Sequence, residues 1–279
     1  MKMRLSIFTV VIISSSLLIL GFNKDKMIKD ILGFVFIPNG SIEICNKTYT
    51  LDSYFIAEQE VTNREYNNFL NDLKINKKDS EFDIAKVHCE NWRIQKQVDS
   101  FAILYNTALN YQNYPVVNIS YDAAVLYCKW LTSKLNDKTH EYRLPSKIEW
   151  IYAARGGLEL TRYSWGGKFL RNNKGDFMCN FYNIGDEFIH FDSDKKYEVR
   201  NFSEVLGRTH IPLPVNSFSS NGFGLFNMCG NVAEMIDEKG IALGGSWNST
   251  GYDVRIESEM NYDESNIYVG FRPVRVKKM

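Results

Sequence analysis

The sequence predicts an α+β domain with few regular elements for its size. Three segments between residues 62 and 157 begin with helix-capping residues, and short strand-like segments lie near both ends of the predicted domain. A long stretch between them is rich in Gly, Asn and Asp and has no sustained hydrophobic period. We expect the three helices to pack on a small antiparallel sheet.

The helix predictions rest on N-terminal capping signals. Thr62 and Ser146 are each followed three residues later by a glutamate, Glu65 and Glu149, which is the pattern of a capping box. Ser120 is an N-cap candidate in front of apolar residues with helical spacing. The predicted helices begin at Thr62, run from Ser120 to Leu135, and run from Ser146 to about Arg155, where Gly156 and Gly157 end the last one.

Four segments are predicted as strands and one long segment as irregular. The segment Tyr163–Asn216 is long for a loop inside a domain, and such a loop usually needs a ligand, a metal or a dedicated scaffold to hold it. The sheet is expected to contain Gly245 and Phe271. The predicted strands are Gly33–Pro38, Lys47–Ile56, Gly240–Trp247 and Tyr268–Val276.

Composition limits the classes of partner. The 279 residues include 33 basic and 33 acidic side chains, so the formal net charge is zero. Because there is no basic excess to neutralise phosphates, nucleic acid is not an expected partner. Hydrophobic residues make up 44% of the chain and charged residues 24%, which is an ordinary balance for a globular domain.

The N-terminus has the layout of an export signal. Lys2 and Arg4 precede an uncharged run from Leu5 to Phe22, and polar residues follow it. The run is also long enough to stay uncleaved, with membrane attachment through residues 5–22, so both outcomes remain open. We predict export to the periplasm or cell envelope, with residues 1–22 as signal peptide or N-terminal membrane anchor, 23–33 as linker and 34–279 as the domain.

The cysteine and histidine residues form no recognisable metal-binding pattern. The five cysteines include no CxxC pair, and none of the four scattered histidines stands at ligand spacing from a cysteine. Their odd number leaves at least one unpaired within the chain, and the sequence does not show which pair would form a disulfide. Cys128 lies among apolar helix residues and is predicted to be a buried, unreactive thiol.

Several short motifs occur along the chain in one order. They are Glu60-Val61-Thr62-Asn63; Pro115-Val116-Val117; Arg143-Leu144-Pro145-Ser146; Gly224-Leu225-Phe226-Asn227-Met228 with Gly230-Asn231-Val232-Ala233-Glu234; and Gly244-Gly245-Ser246-Trp247 with Gly270-Phe271-Arg272. Their order and spacing resemble the formylglycine-generating enzyme and sulfatase-modifying factor family from about Phe34 to Val276. The resemblance implies that family's irregular, C-type-lectin-like fold.

Within the family, the chain looks most like the gliding-motility and type IX secretion lipoproteins. Tyr163–Gly167, Lys174–Phe177, Asn180-Phe181 and the ending Asn261–Arg272 carry that likeness. Those proteins are non-enzymatic envelope components. This chain departs from them at Phe22, which stands where their lipidated cysteine would be.

The resemblance implies that the copper chemistry of the family's oxidases is missing. Those enzymes bind Cu(I) through two cysteines shortly after the Gly-Gly-Ser motif, and these positions fall on Ser249 and Val254. Neither side chain replaces a soft thiolate, so no copper is expected. A substrate-positioning Trp of the enzymes falls on Ala233. An iron-dependent branch of the superfamily uses a histidine cluster, which the scattered histidines do not reproduce.

The resemblance also implies structural Ca²⁺ as a cofactor. Asn227, Gly230, Val232 and Glu234 match a calcium loop of the family, in which the first and last give side-chain oxygens and the middle two give backbone carbonyls. Calcium prefers such an all-oxygen shell. The alternative is that Asn227 and Glu234 only cap turns.

A second calcium site of the family is matched in part. Asn180 and the carbonyl of Phe181 stand at two of its positions. The aspartate that completes it cannot be aligned, and Asp186, Asp192 and Asp194 are candidates. Arg143 and Arg272 lie in otherwise apolar motifs, and we expect each to be a structural ion-pair partner, because a charge there needs a partner.

Three functions remain open at the level of the sequence. The first is a non-catalytic, exported envelope protein whose domain binds a protein or glycan partner, in secretion or motility machinery. The second is a metal-dependent oxidoreductase of the formylglycine-generating superfamily. The third is a lectin-like glycan-binding protein. The missing cysteines and the predicted export favour the first.

Overall fold

The three helices predicted from their capping residues are confirmed, and two further helices lie between the first two of them. The computed structural model describes residues 33–89, 92, 99–183, 189–191, 197–199 and 211–278. Its helices are α1 (Asn63–Ile75), α2 (Asp79–Ala85), α3 (Asp99–Thr107), α4 (Tyr121–Leu135) and α5 (Lys147–Arg155), and Leu109–Tyr111 forms a 3-10 turn.

Both predicted capping boxes are formed. The backbone N–H of Glu65 donates to Thr62 Oγ1 at 3.2 Å, and the Thr62 N–H donates back to the Glu65 carboxylate at 2.8 Å. Ser146 and Glu149 make the same reciprocal bonds at 3.3 and 2.7 Å. Helix α5 ends at Gly156, whose φ of 61° is the left-handed conformation that glycine adopts without a Cβ penalty. Local sequence therefore specifies these helix ends.

The described strands form two four-stranded sheets and two hairpins. The first sheet is antiparallel and contains, in spatial order, β1 (Phe34–Ile37), β4 (Tyr54–Ala57), β12 (Val274–Lys277) and β5 (His140–Arg143). The second contains β10 (Glu259–Asn261), β9 (Ile241–Leu243), β8 (Ala233–Met235) and β11 (Val269–Gly270), and its last pair is parallel. The hairpins are β2 (Gly40–Ile44) with β3 (Lys47–Leu51) and β6 (Ile189–Phe191) with β7 (Tyr197–Val199).

Two of the predicted strands are too long, because polar residues interrupt one of them and glycines end the other. The segment Lys47–Ile56 is not one strand, because Asp52 and Ser53 separate β3 from β4 and these belong to different sheets. The predicted strand Gly240–Trp247 ends at Leu243. Gly244 and Gly245 have φ angles of 85° and 66°, which lie outside the β region, so Gly245 is not part of the sheet.

The predicted C-terminal strand is also divided. β11 ends at Gly270 and β12 begins at Val274, and Phe271 lies in neither strand. Pro273 has no N–H to donate to a ladder, whereas its carbonyl accepts a hydrogen bond from Ala57 at 3.0 Å. The chain therefore leaves one sheet and enters the other within three residues.

Phe271 packs in a core of aromatic rings instead. The rings of Tyr66 in α1 and Tyr127 in α4 lie against it, and Phe69 of α1 packs against both of these tyrosines. Each of the three is at most 5% exposed. The ring centroid of Tyr127 lies 5.3 Å from that of Phe271 and 5.5 Å from that of Phe69, both with edge-to-face geometry. Such contacts add to the free energy of apolar burial. Helices α1 and α4 are thereby held against the link between the two sheets.

Two sequence predictions fall outside the described residues. The predicted signal or anchor, residues 1–22, lies there, as does the predicted linker up to residue 32. Within the part of the chain that the structure describes, no helix combines the length and the apolar character needed to cross a membrane.

Candidate functional site

A buried ion pair joins β8 to the residues that follow β11. The side chains of Glu234 and Arg272 are 1% and 0% exposed. Arg272 Nη2 lies 2.6 Å from Glu234 Oε1, and Arg272 Nε lies 2.7 Å from Oε2, so the guanidinium binds both carboxylate oxygens. The indole N–H of Trp150 also donates to Oε2 at 2.7 Å. The prediction that Arg272 is an ion-pair partner is confirmed.

The same guanidinium ties distant segments together. Arg272 Nη1 donates to the carbonyls of Ala57 and Glu58 at 3.1 Å each, and Nη2 donates to the carbonyl of Phe226 at 2.7 Å. These carbonyls belong to the end of β4 and to the loop that contains Asn227. Arg272 therefore positions the predicted calcium loop against the first sheet.

The other predicted structural arginine, Arg143, is also paired. Its two terminal nitrogens each lie 2.8 Å from a different carboxylate oxygen of Glu149. Glu149 thus caps α5 and neutralises Arg143 at the same time. The prediction for Arg143 is confirmed.

A second buried carboxyl group, that of Glu60, lies beside the Arg272–Glu234 pair. Glu60 is fully buried, and the side-chain amides of Asn231 and Asn227 donate to its two oxygens at 2.9 and 3.2 Å. Burial raises the pKa of the Glu60 carboxyl to about 8, against the opposing effect of Arg272, and the Glu234 carboxylate raises it further. We use the name polar cluster for these five residues: Glu60, Asn227, Asn231, Glu234 and Arg272.

The predicted calcium ligands Asn227 and Glu234 have different partners. Asn227 donates its amide N–H groups to Glu60 and to the carbonyl of Val215, the latter at 3.0 Å. Its Oδ1 atom is buried and has no hydrogen-bond partner. Glu234 is bound by Arg272 and Trp150. A buried amide oxygen without a hydrogen-bond partner is a ligand that suits a hard cation. Calcium at this loop remains a prediction.

Gly230 and Val232, which the calcium prediction includes through their backbone carbonyls, are constrained by backbone conformation and by packing. Gly230 has a φ of 74°, and a Cβ atom there would collide with the carbonyl oxygen of Asn180. The side chain of Val232 is 1% exposed and packs in a core cluster. Neither position offers a side-chain ligand, so each could contribute its carbonyl oxygen alone.

The second predicted calcium site is described in part. The Asn180 side chain donates to the carbonyl of Ile211 at 3.0 Å, and its own carbonyl accepts the N–H of Asn231 at 2.8 Å. Phe181 is 7% exposed. The candidate aspartates Asp186, Asp192 and Asp194 lie outside the described residues. This site also remains a prediction.

Ser249 and Val254, the residues predicted to stand at the family's copper positions, have side chains that are engaged in a hydrogen bond and in core packing. Ser249 Oγ accepts the N–H of Ser246 at 2.9 Å and lies 3.2 Å from Ser246 Oγ. Val254 is fully buried in the second core cluster. Ala233, at the position of the substrate-positioning Trp, is also fully buried. A serine bound to its own turn and a core valine provide no thiolate.

Three of the cysteines are buried. Burial raises the pKa of Cys128 to about 12 and that of Cys229 to about 11, and it raises the pKa of Cys179 well above the usual value. The prediction that Cys128 is a buried thiol is confirmed. Within the described residues, no three His, Cys, Asp or Glu side chains are grouped to hold one metal ion.

The family assignment follows from the extent of the match. Residues 23–277 match the family model of the Sulfatase-modifying factor enzyme 1-like domain. The chain belongs to the sulfatase-modifying factor family. The match begins eleven residues before the domain start that the sequence predicted at residue 34.

Relatives in this family carry different names. The chain is 27% identical over 211 residues to the formylglycine-generating enzyme of Mus musculus, covering 66% of this chain and 49% of that enzyme. It is 29% identical over 175 residues to the inactive C-alpha-formylglycine-generating enzyme 2 of Bos taurus, covering 57% and 49%. It is 23% identical over 252 residues to the chaperone protein LppX of Paenibacillus barcinonensis, covering 83% of each. The chain thus spans about half the length of the first two relatives.

Solved structures confirm the fold. The crystal structure of CarF matches with a TM-score of 0.58 at 19% identity, covering 88% of this chain and 98% of that one. PvdO from Pseudomonas aeruginosa matches with a TM-score of 0.57 at 18% identity, covering 87% and 93%. The mixed, irregular architecture is therefore that of the sulfatase-modifying factor family.

Sequence reasoning missed three members of the site. Glu60 and Asn231 lie in the motifs named above, and Trp150 lies in the helix predicted from Ser146, but the sequence assigns none of them a role. Glu60 stands between Gln59 and Val61, which do not mark it as a buried position. Once buried, its carboxyl group must find hydrogen-bond donors. Its donors, however, lie more than 160 residues away in the chain, at Asn227 and Asn231.

Proposed function

We propose that this chain is a non-catalytic member of the sulfatase-modifying factor family that acts by binding a protein or glycan in the cell envelope. One observation carries the proposal: the side chains of Ser249 and Val254, which the family resemblance places at the copper positions, are committed to a turn and to the core. Oxidation of a cysteine by this family's route needs two thiolates there to hold Cu(I).

The relatives give further support. One relative, matched over 57% of this chain, is named as an inactive formylglycine-generating enzyme. Another, matched over 83% of both chains, is named as a chaperone protein. Both names are compatible with a domain that binds without oxidising. The basic start and the apolar run Leu5–Phe22 support export. The resemblance to gliding-motility and type IX secretion lipoproteins supports a role in such machinery.

Calcium is proposed as a structural ion of this binding domain. Asn227 Oδ1, with the carbonyls of Gly230 and Val232 and the Glu234 carboxylate, would hold it. The unpartnered state of Asn227 Oδ1 supports this donor set. The role of Arg272 would be to orient Glu234.

The test of the non-catalytic function is an attempted turnover. The purified chain is loaded with copper and given a sulfatase-derived peptide that contains cysteine, in the presence of oxygen. We expect no aldehyde above the metal-only control, and no Cu(I) binding with thiolate stoichiometry. Aldehyde formation above that control would refute the proposal and favour the oxidoreductase.

A matched variant tests whether these two positions account for the absence of copper binding. In Ser249→Cys with Val254→Cys, both thiols are restored at the family's positions. Cu(I) uptake by this variant, with none by the parent chain, would assign the loss to these two positions. Equal Cu(I) uptake by both proteins would contradict the assignment, because the metal would then bind elsewhere.

A further inference from the structure

Two buried cysteines lie on neighbouring segments of the chain. Cys179 precedes Asn180, and Cys229 precedes Gly230. The N–H of Asn231 donates to the carbonyl of Asn180 at 2.8 Å, and the side-chain amide of Asn180 donates to Asn231 Oδ1 at 3.3 Å. These bonds hold the two segments side by side next to the polar cluster.

Gly230 shows how closely the two segments approach each other. A Cβ atom built at this glycine would lie 3.2 Å from the Cβ atom of Cys179 and would collide with the carbonyl oxygen of Asn180. Only a residue without a side chain allows the backbones to come this close. The residue bonded to Cys229 is therefore packed directly against Cys179.

Both cysteine side chains belong to the same core cluster. Cys179 is 3% exposed and Cys229 is 2% exposed, and each is a thiol in the structure. Burial raises the pKa of the Cys179 thiol well above its usual value, and the neighbouring Cys229 raises it further. A like charge changes a pKa only at short range, so this influence agrees with the close approach of the two segments.

The other cysteines have different surroundings. Cys45 is exposed on the turn between β2 and β3. Cys128 is buried in the cluster that packs around α1 and α4, and Cys89 packs against a third cluster. Among the cysteines, all of which lie in the described part of the chain, Cys179 and Cys229 alone share one core cluster.

We propose that Cys179 and Cys229 form a disulfide in the oxidised protein. One Sγ–Sγ bond replaces two S–H bonds, so two protons and two electrons leave the protein. A low-molecular-weight disulfide accepts them and becomes two thiols, through a mixed disulfide with one of the cysteines. Because both side chains are buried in the folded chain, this exchange takes place before folding is complete or while the region opens.

The bond fastens a long irregular segment to the rest of the domain. Cys179 lies within the segment Tyr163–Asn216, whereas Cys229 lies in the loop of the predicted calcium site. A disulfide between them closes a loop of about fifty residues and so restricts the unfolded chain, which stabilises the fold.

This inference goes beyond the proposed function. Export, which is part of that function, supplies the oxidising compartment in which a disulfide persists. The pairing itself depends neither on copper chemistry nor on a binding partner. Its test is made on the purified protein, so its failure and a failure of the copper assay are separate results.

The test is refolding of the reduced, full chain from urea in two buffers. One contains glutathione with glutathione disulfide, and the other contains dithiothreitol. Remaining thiols are then blocked with iodoacetamide in urea, and peptides are mapped without reduction by mass spectrometry. In the oxidised sample we expect one cross-linked peptide pair that contains Cys179 and Cys229 and has lost two hydrogens. We also expect a Tm several degrees above that of the reduced sample.

Variants assign the effect to this pair. In Cys229→Ala, and in Cys179→Ala, the cross-link should be absent and the Tm should be the same in both buffers. The matched control Cys128→Ala removes a buried cysteine of another cluster and should keep both the cross-link and the full difference in Tm. If a variant does not fold, the peptide map of the parent chain decides.

Three results would overturn the proposal. The first is iodoacetamide modification of both Cys179 and Cys229 in the oxidised parent chain. The second is a cross-link from either of them to a different cysteine. The third is a difference in Tm between the two buffers that is as large in Cys229→Ala as in the parent chain.

Discussion

The guanidinium of Arg272 binds both carboxylate oxygens of Glu234, at 2.6 and 2.7 Å, where neither side chain is exposed to more than 1%. The pair lies at the junction of β8 with the link between the two sheets. A third charged group, the carboxyl of Glu60, is close enough for Glu234 to raise its pKa. One buried cation thus faces two buried carboxyl groups. The balance of charge in this cluster predicts that the stability of the fold is sensitive to mutation and to pH.

Replacing Arg272 with leucine should destabilise the fold strongly. The change leaves Glu234 buried without its cation, and removing one partner of a buried pair typically costs about 3–5 kcal/mol. It also removes the donors to three backbone carbonyls. Urea unfolding followed by circular dichroism measures the loss.

The matched control for this prediction is an exposed ion pair. Lys78→Ala breaks the pair with Glu81, whose side chains are 49% and 35% exposed, and should cost about 1 kcal/mol or less. A similar loss for Lys78→Ala and Arg272→Leu would contradict the account of the buried cluster.

The raised pKa of Glu60 predicts that stability falls as pH rises. Its carboxyl has an ordinary pKa of 4.5 when unfolded and about 8 when folded. Between these values the folded state holds a proton that the unfolded state has lost, so the free energy of unfolding decreases by up to about 1.4 kcal/mol per pH unit from this group. The contribution is fully present below pH 4.5 and is lost through pH 8.

The variant Glu60→Gln isolates that contribution. Glutamine keeps the shape of the side chain but does not titrate. Urea unfolding between pH 5 and 8, in the presence of a chelator, should give a flatter pH dependence for the variant than for the parent chain. Parallel curves for the two proteins would show that Glu60 does not titrate in this range.

Local signals predicted the helices well because capping is encoded within four residues. The boxes at Thr62 and Ser146 need the cap residue and a glutamate three positions later, and both are readable from the sequence. Helix α2 has no side-chain cap, since Lys78 stands at its N-cap position, and it was not predicted. Its existence depends on packing, which the local sequence does not state.

The strands and the polar cluster were less predictable because they depend on contacts between distant residues. Phe271 has the apolar character of a strand residue, but it packs among the rings of α1 and α4. Glu234 was predicted as a calcium ligand from its motif, whereas its bonds to Arg272 and Trp150 span 38 and 84 residues. No spacing rule along the chain gives those partners.

The burial of three cysteines predicts slow alkylation. The thiolate is the reactive form, and burial keeps Cys128, Cys179 and Cys229 protonated and out of reach of reagents. Exposed Cys45 should react with iodoacetamide at pH 8 within minutes, while the three buried cysteines should react after unfolding in urea. Peptide mass spectrometry measures modification at each site. The control Cys45→Ser should lose the rapid adduct, and rapid modification of Cys128 would contradict the predicted burial.

Calcium should raise the thermal stability of the protein through Asn227. A cation that binds the folded state alone adds about 2.7 kcal/mol at a concentration one hundred times its Kd. For a domain of this size that corresponds to a rise in Tm of several degrees. Differential scanning calorimetry of the chelator-treated chain, with and without added Ca²⁺, measures the rise. Mg²⁺ should have a smaller effect, because it demands a tighter octahedral shell.

The variant Asn227→Ala should abolish that rise, since it removes the buried Oδ1 atom that lacks a partner. The matched control is Asn261→Ala, at an exposed position of β10, which should keep the full response to Ca²⁺. Asn227→Ala also deletes the amide donors to Glu60 and Val215, so its Tm without calcium is expected to fall. The decisive quantity is therefore the difference in Tm between calcium and chelator for each protein. An equal difference in Asn227→Ala and in the parent chain would place the calcium site elsewhere.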